Sequence, residues 1–190
     1  MSLTTKRALA QSLKKLMEKK PLEKITVVDI TEDCGVNRQT FYYHFQDIYD
    51  LIDWIYINEA ETGLGGKKSY DTWQEGFLHI FSYILENKSF VRNTFHSVSR
   101  DKLERFLYQE TAFLLMGVIQ EKAGNLPIRE DDMQFIADFY KYAFVGILCD
   151  WIERGMKDRP QDIIRRLDRL IHGTISQGLE RFRTDKKHTD

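Results

Sequence analysis

Proline interrupts this 190-residue chain only at Pro21, Pro127 and Pro160, and each falls where an apolar pattern of helical period ends. Proline has no N–H to give a helix and blocks the preceding turn, so long proline-free stretches leave helices free to run. Leu9, Leu13, Leu16 and Met17 recur at i, i+4, i+7 and i+8, one face of an amphipathic helix that Pro21 stops. Further helical patterns lie near 71–87, 89–98, 100–123, 131–155 and 161–182. The run "ITVVDI" (25–30) is rich in β-branched residues and could pass for a strand. However, Thr26 with Asp29 three residues on has the form of a capping box, and no second strand candidate exists to pair with it. The spacing therefore predicts an all-α protein of about nine helices.

Asn37 caps a helix running to about His44, and Asp47, with Asp50, caps the next. The cluster "TGLGGKKSYD" (62–71) is the clearest break. It suggests a head at 1–50, a connecting helix at about 47–62, a larger helical domain at 63–184 and a tail at 185–190. Within the head, a tight turn at Cys34-Gly35-Val36 separates two short helices. Glycine suits the positive φ that such a turn uses. Two short helices so joined have the shape of a helix-turn-helix, with Val27, Ile30, Val36, Phe41 and Phe45 spaced to form a small core beneath it.

Charge patterning agrees unevenly with contact to nucleic acid. The formal net charge of −1 excludes a generally basic coat protein but not a local patch. Residues 1–24 carry Lys6, Arg7, Lys14, Lys15, Lys19, Lys20 and Lys24 against Glu18 and Glu23. Residues 25–60 carry only Arg38 against seven carboxylates, although none of these falls between Gly35 and Gln46. Phosphate attraction is expected mainly from the first helix and Lys24.

The segment "TVVDITEDCGVNRQTFYYHFQDIYDL" (26–51) resembles the DNA-binding segment of the TetR family of bacterial transcription regulators. Thr26, Ile30, Gly35, Val36, Thr40, Phe41, Tyr42, His44 and Phe45 match that family's pattern in order and spacing. Thr31 and Cys34 stand where small alanines are usual, Asn37 replaces a serine cap, and Ile48 replaces a frequent lysine, which removes one expected phosphate contact. The resemblance implies a DNA-contacting set of Lys24, Thr26, Asn37, Arg38, Gln39, Thr40, Tyr42, Tyr43 and His44. Arg38 and Gln39 suit guanine and adenine edges, and the hydroxyl and ring N–H groups suit phosphates. Phe41 and Phe45 are assigned to the core.

Segment 131–155 is apolar nearly all round, through Phe135, Ile136, Phe139, Tyr140, Phe144, Ile147, Leu148, Trp151 and Ile152, which predicts burial on more than one side. Segment 161–182 has the stripe Ile164, Leu167, Leu170, Ile171, Ile175, Leu179 and Phe182, with Gly173 and Gly178 permitting close approach. A helix-turn-helix gains affinity from a second copy about 34–36 Å away on a palindromic operator. A homodimer interface is therefore expected at Phe144, Ile147, Leu148, Trp151, Leu167, Leu170, Ile171, Ile175 and Gly178. The resemblance also implies a small-molecule effector held in the aromatic region, for which Trp73, Phe77, Phe81, Phe95, His96, Phe113, Met116 and Tyr140 are the candidates. Core packing is the competing role for each. The chain is similar as well to the branch of that family associated with dihydroxyacetone kinase operons, which implies a coactivator protein as the alternative signal.

Other classes are less well supported. Cys34 and Cys149 are far apart and form no metal-ligand pair, and His79 with His96 lacks a ligand pattern, so no metal and no cofactor are expected. Neither a Gly-rich phosphate loop nor G-x-S-x-G nor H-E-x-x-H is present, and Cys34 with His44 makes a poor catalytic pair. The chain is not expected to be an enzyme. A helical interaction module with a basic first helix is the remaining alternative. No apolar leader opens the sequence, and Asp138, Lys141 and Asp150 interrupt its most apolar stretch, so a cytoplasmic protein without membrane contact is expected.

Overall fold

The computed structural model describes residues 2–60 and 73–185. Among them are ten α-helices: α1 (Ser2–Met17), α2 (Val27–Asp33), α3 (Arg38–His44), α4 (Ile48–Glu59), α5 (Trp73–Glu86), α6 (Lys88–Phe95), α7 (Arg100–Ala123), α8 (Glu130–Glu153), α9 (Pro160–Ile171) and α10 (Thr174–Arg181). The described residues contain no strand, only an isolated bridge between Ile128 and Arg183. No described helix is long and apolar enough to cross a membrane. The predicted break at 62–71 lies outside the described residues. The described residues form two compact units that interleave in sequence: the first is 2–60 with 83–106, the second 73–82 with 107–185. The first unit thus takes in α6 and the start of α7, which the sequence assigned to the larger domain.

In the first unit the starts of α2, α3 and α4 are each set by local polar groups. Pro21 ends the α1 pattern and leads into a 3-10 turn at Leu22–Lys24. Thr26 Oγ1 accepts from the Asp29 N–H at 3.2 Å while Asp29 Oδ2 accepts from the Thr26 N–H at 2.7 Å, the expected capping box. The turn after α2 passes through Gly35 at φ 69°, and the Val36 N–H donates to the Thr31 carbonyl at 3.0 Å to close it. Asn37 Oδ1 caps α3 through the Thr40 N–H (2.7 Å), and Asp47 Oδ1 caps α4 through the Asp50 N–H (2.8 Å). Leu9, Leu13 and Met17 of α1 are buried with Ile30, Phe41, Phe45, Leu51, Ile52 and Ile55. Val27 and Val36 are only half-buried. Ser12 Oγ donates to the Ile30 carbonyl at 3.0 Å, adding a buried polar link between α1 and α2.

The second unit is built on aromatic rings shared by α5 and α8. Phe144 lies 4.6 Å from Phe77 and 5.3 Å from Trp73 between ring centroids, and Trp151 lies 4.7 Å from Phe81. The single helix expected over 161–182 is instead two, because Gly173 takes φ 75° and reverses the backbone between α9 and α10. Tyr140 OH and Thr174 Oγ1 meet at 2.7 Å, holding the start of α10 against α8. The burial of α8 also differs from expectation. Phe135 and Phe139 are 64% and 65% exposed, so one apolar side of this helix faces solvent rather than its own unit.

Candidate nucleic-acid interface

On α3 the exposed positions are Arg38, Gln39, Tyr42 and Tyr43, while Phe41 is fully buried and the Phe45 that follows the helix is buried too. This division follows from the helical period. Phe41 turns into the core of the first unit, and Arg38, Gln39, Tyr42 and Tyr43 turn outward. Tyr43, at 82% exposure, is the most exposed large ring described. The Arg38 guanidinium lies 5.9 Å from the centre of the Tyr42 ring one turn on, and the Tyr43 and His44 rings meet edge to face at 4.9 Å. Arg38 and Gln39 are thus free to reach base edges, with aromatic hydroxyls beside them for phosphates.

Three expected contact residues have their polar atoms engaged within the head. Thr26 Oγ1 donates to Asp29 Oδ2 at 2.7 Å, Thr40 Oγ1 donates to Asn37 Oδ1 at 2.9 Å, and that same Asn37 oxygen caps the helix. Each hydroxyl has one hydrogen to give, so in this arrangement neither threonine donates to phosphate. His44 is half-buried.

The positive charge of α1 is likewise less available than its sequence suggests. Lys14 pairs with Glu59, Lys15 with Asp33, and Lys20 with Asp29 at 2.9 Å. Lys6 lies over the Phe45 and Trp54 rings at 5.4 and 5.7 Å. Among the described residues Arg7, Lys19, Lys24 and Arg38 remain exposed without an ion pair, and Lys24 immediately precedes the cap of α2 as expected. The Lys20 ammonium and the Thr26 hydroxyl and N–H hold the Asp29 carboxyl at about 2. Burial raises the Cys34 thiol above its ordinary value and disfavours a thiolate there.

The expected effector residues are divided between the two units. Phe95 and His96 belong to the first unit and the other six to the second. Phe77 and Phe81 are fully buried against each other and against α8, Tyr140 is buried with its hydroxyl on Thr174, Met116 is half-buried, and Phe113 is 56% exposed. Trp73 lines a cleft of about 350 Å³ in the second unit, with Gln74, Val118, Glu121, Lys122 and Asp168, and His96 lines one of about 430 Å³ in the first. No cluster of three or more His, Cys, Asp or Glu that could hold a metal occurs among the described residues.

Of the expected dimer residues, Phe144, Leu148, Trp151, Leu167 and Ile175 are buried within the second unit itself. Ile147, Ile171 and Gly178 are half-buried, and Leu170 is 76% exposed. A surface outside the expected set lies on α8: Phe135, Phe139 and Tyr142, at i, i+4 and i+7, are all at least 60% exposed, with Gly146 exposed one turn on. The signal was present in the helix being apolar on every side.

Residues 7–54 match the family model described as "Bacterial regulatory proteins, tetR family", and residues 71–173 match "Transcriptional regulator C-terminal region". The chain is 30% identical over 156 residues to the dhaKLM operon transcriptional activator DhaS of Lactococcus lactis, covering 81% of this chain and 82% of that protein. Its structure is similar to that of a dihydroxyacetone kinase operon activator DhaS, with a TM-score of 0.73 and 28% identity over 96% of this chain and 100% of the other. It also shares its fold with NalD of Pseudomonas aeruginosa, with a TM-score of 0.59 and 14% identity over 98% and 99% of the two chains. These relatives are transcription regulators rather than enzymes. The chain belongs to the TetR family of transcription regulators.

Proposed function

We propose that this regulator binds a palindromic operator as a homodimer and activates a dihydroxyacetone kinase operon, as its relative's name describes for DhaS. The observation that carries the DNA-binding part is α3, which exposes Arg38, Gln39, Tyr42 and Tyr43 in a stretch free of carboxylates from Gly35 to Gln46. Arg38 and Gln39 read bases, Tyr42, Tyr43 and His44 meet the DNA backbone, and Lys24 adds a phosphate contact. Asn37, Thr26 and Thr40 act mainly by holding the two helices in shape. The dimer forms when a second copy covers Phe135, Phe139 and Tyr142.

Control by a small molecule in the second unit is the first reading of the signal, and the cleft beside Trp73 is its candidate place. Control by a coactivator protein is the second, favoured by the likeness to DhaS and by the exposed Phe113 ring on α7. Selection of bound fragments from random DNA tests the whole reading. One enriched palindrome, bound with a steep fall of log K on log salt, supports it, and failure to retain any duplex at low salt overturns it. Adding dihydroxyacetone to the purified protein and operator then separates the signals: a shift in affinity supports direct ligand control, and none favours the coactivator.

A further inference from the structure

Helix α6 is tied to the DNA-binding head at both of its ends. At its start, Asn87 Oδ1 accepts from Lys14 Nζ at 2.7 Å, and the same ammonium pairs with Glu59 and lies 5.1 Å over the Phe90 ring. Toward its end, Asn93 uses its whole amide. Its Oδ1 accepts from the Leu22 N–H at 3.0 Å, and its Nδ2 donates to the Met17 carbonyl at 3.1 Å and the Ser89 carbonyl at 2.8 Å. Met17 ends α1 and Leu22 begins the 3-10 turn, so Asn93 pairs the acceptor left over at one helix end with a donor just beyond the bend at Pro21. Beside this clip lies a cleft of about 430 Å³ lined by the charged Glu18, Lys19, Lys20, Glu23 and Arg92 together with His96, a polar gap rather than packed core.

We infer that Asn93 is a positioning residue for operator binding: it fixes the angle at which its own unit holds the helix-turn-helix. The inference rests on the dimer and palindrome reading above. The hydrogen bonds of Asn93 go to Met17, Leu22 and Ser89 and engage its whole amide, so it is assigned no DNA contact of its own. It acts through the turn Leu22–Lys24, which leads directly into the cap of α2 and so carries both helices of the motif. α6 holds α1 and the turn after it at two polar attachments, Lys14 and Met17 with Leu22, and holds α4 through Tyr56, which meets Thr94 at 2.6 Å and Phe90 at 5.0 Å between ring centroids. With the Asn93 attachment removed, α1 and α4 stay anchored while the turn that leads into α2 gains freedom to shift. In a dimer both heads must meet half-sites at one fixed separation, so that freedom weakens paired binding far more than the binding of a single half-site.

The test compares wild type with Asn93→Leu on the selected palindrome, on the same palindrome with one base pair added or removed at its centre, and on a single half-site. Asn93→Leu is expected to lose about tenfold on the native spacing, to stay within about twofold of wild type on the half-site, and to discriminate less against altered spacings. Asn87→Ala, which releases the other tie while leaving Lys14 on Glu59, is expected to shift spacing preference in the same direction by less. A general loss of folding would depress half-site binding together with melting temperature and would overturn the assignment, as would unchanged spacing discrimination in both variants. If wild type itself binds the half-site as tightly as the palindrome, the dimer reading fails. If wild type discriminates and the variants do so equally, only the role of Asn93 fails.

Discussion

Glu110 sits on the buried stripe of α7 between Leu107 and Leu114 and is 7% exposed. Among the described residues no cation or donor meets its carboxylate, and burial alone pushes its pKa from 4.5 to about 7. The folded chain therefore favours the protonated acid. The stability this provides is complete below the ordinary carboxyl value and is lost as pH rises through about 7. Glu110→Gln keeps the shape without the charge. Thermal melts should show wild type losing a few degrees between about pH 4.5 and 7 while the variant holds level. A variant with the wild-type profile would assign the pH dependence elsewhere. Arg38 and Lys24 permit a second residue-scale comparison, because both are exposed cations of the head. Arg38→Ala should cost about 1–3 kcal/mol at one base position and narrow the ratio of operator to scrambled-DNA affinity. Lys24→Ala should weaken both DNAs alike and lower the salt slope by about 1. Equal behaviour of the two variants in a salt-and-sequence titration would deny Arg38 its base contact.

Helix starts were legible in the sequence because their cause is local. Thr26 with Asp29, Asn37, and Asp47 with Asp50 each lie within three residues of the N–H groups they satisfy, and each forms the predicted cap. The end of α9 was not legible. The apolar stripe continues in step from Ile164 through Leu179, so nothing in the period marks a break, and Gly173 read as room for a neighbouring helix. The structure uses it for its backbone instead: φ is 75°, and a β-carbon there would find only the Gln177 side chain, at 3.9 Å. Gly173→Ala should therefore destabilise the protein by about 1–2 kcal/mol from backbone strain alone, with little steric addition. A melting temperature equal to wild type would mean that α9 and α10 can join into one helix without cost. The DNA-contacting set divides by the same logic. Which side chains of α3 point outward follows from its period, whereas the engagement of Lys14, Lys15 and Lys20 depends on carboxylates brought in by α2 and α4. That pairing is tertiary and leaves no trace in α1 itself.

At the scale of the whole molecule, the internal pairing of α1 limits how strongly salt can act on DNA binding. Four exposed cations per head without an ion pair, Arg7, Lys19, Lys24 and Arg38, make eight in a dimer, so the slope of log K on log salt should be no steeper than about −7. A markedly steeper slope would show that Lys15 or Lys20 exchanges its carboxylate for phosphate on binding. The dimer raises the other question that one chain's sequence could not answer. An all-round apolar helix says that every side is covered, not whether the cover comes from the same chain or from a second copy. The structure separates the two sides of α8: Phe144 is 1% exposed among its own unit's rings, and Phe139 is 65% exposed. Phe144→Ala should cost about 3–5 kcal/mol through the cavity it leaves, lowering the melting temperature sharply. Phe139→Glu removes no internal contact of that kind. It should keep the helical circular dichroism spectrum yet sediment as a monomer at micromolar concentration, because a carboxylate would be buried without a partner at the seam. With one head per particle, it should also bind the palindrome no better than a half-site. Should Phe139→Glu remain a dimer, the second copy must cover a different face, and the exposed Leu170 side of α9 becomes the next surface to alter.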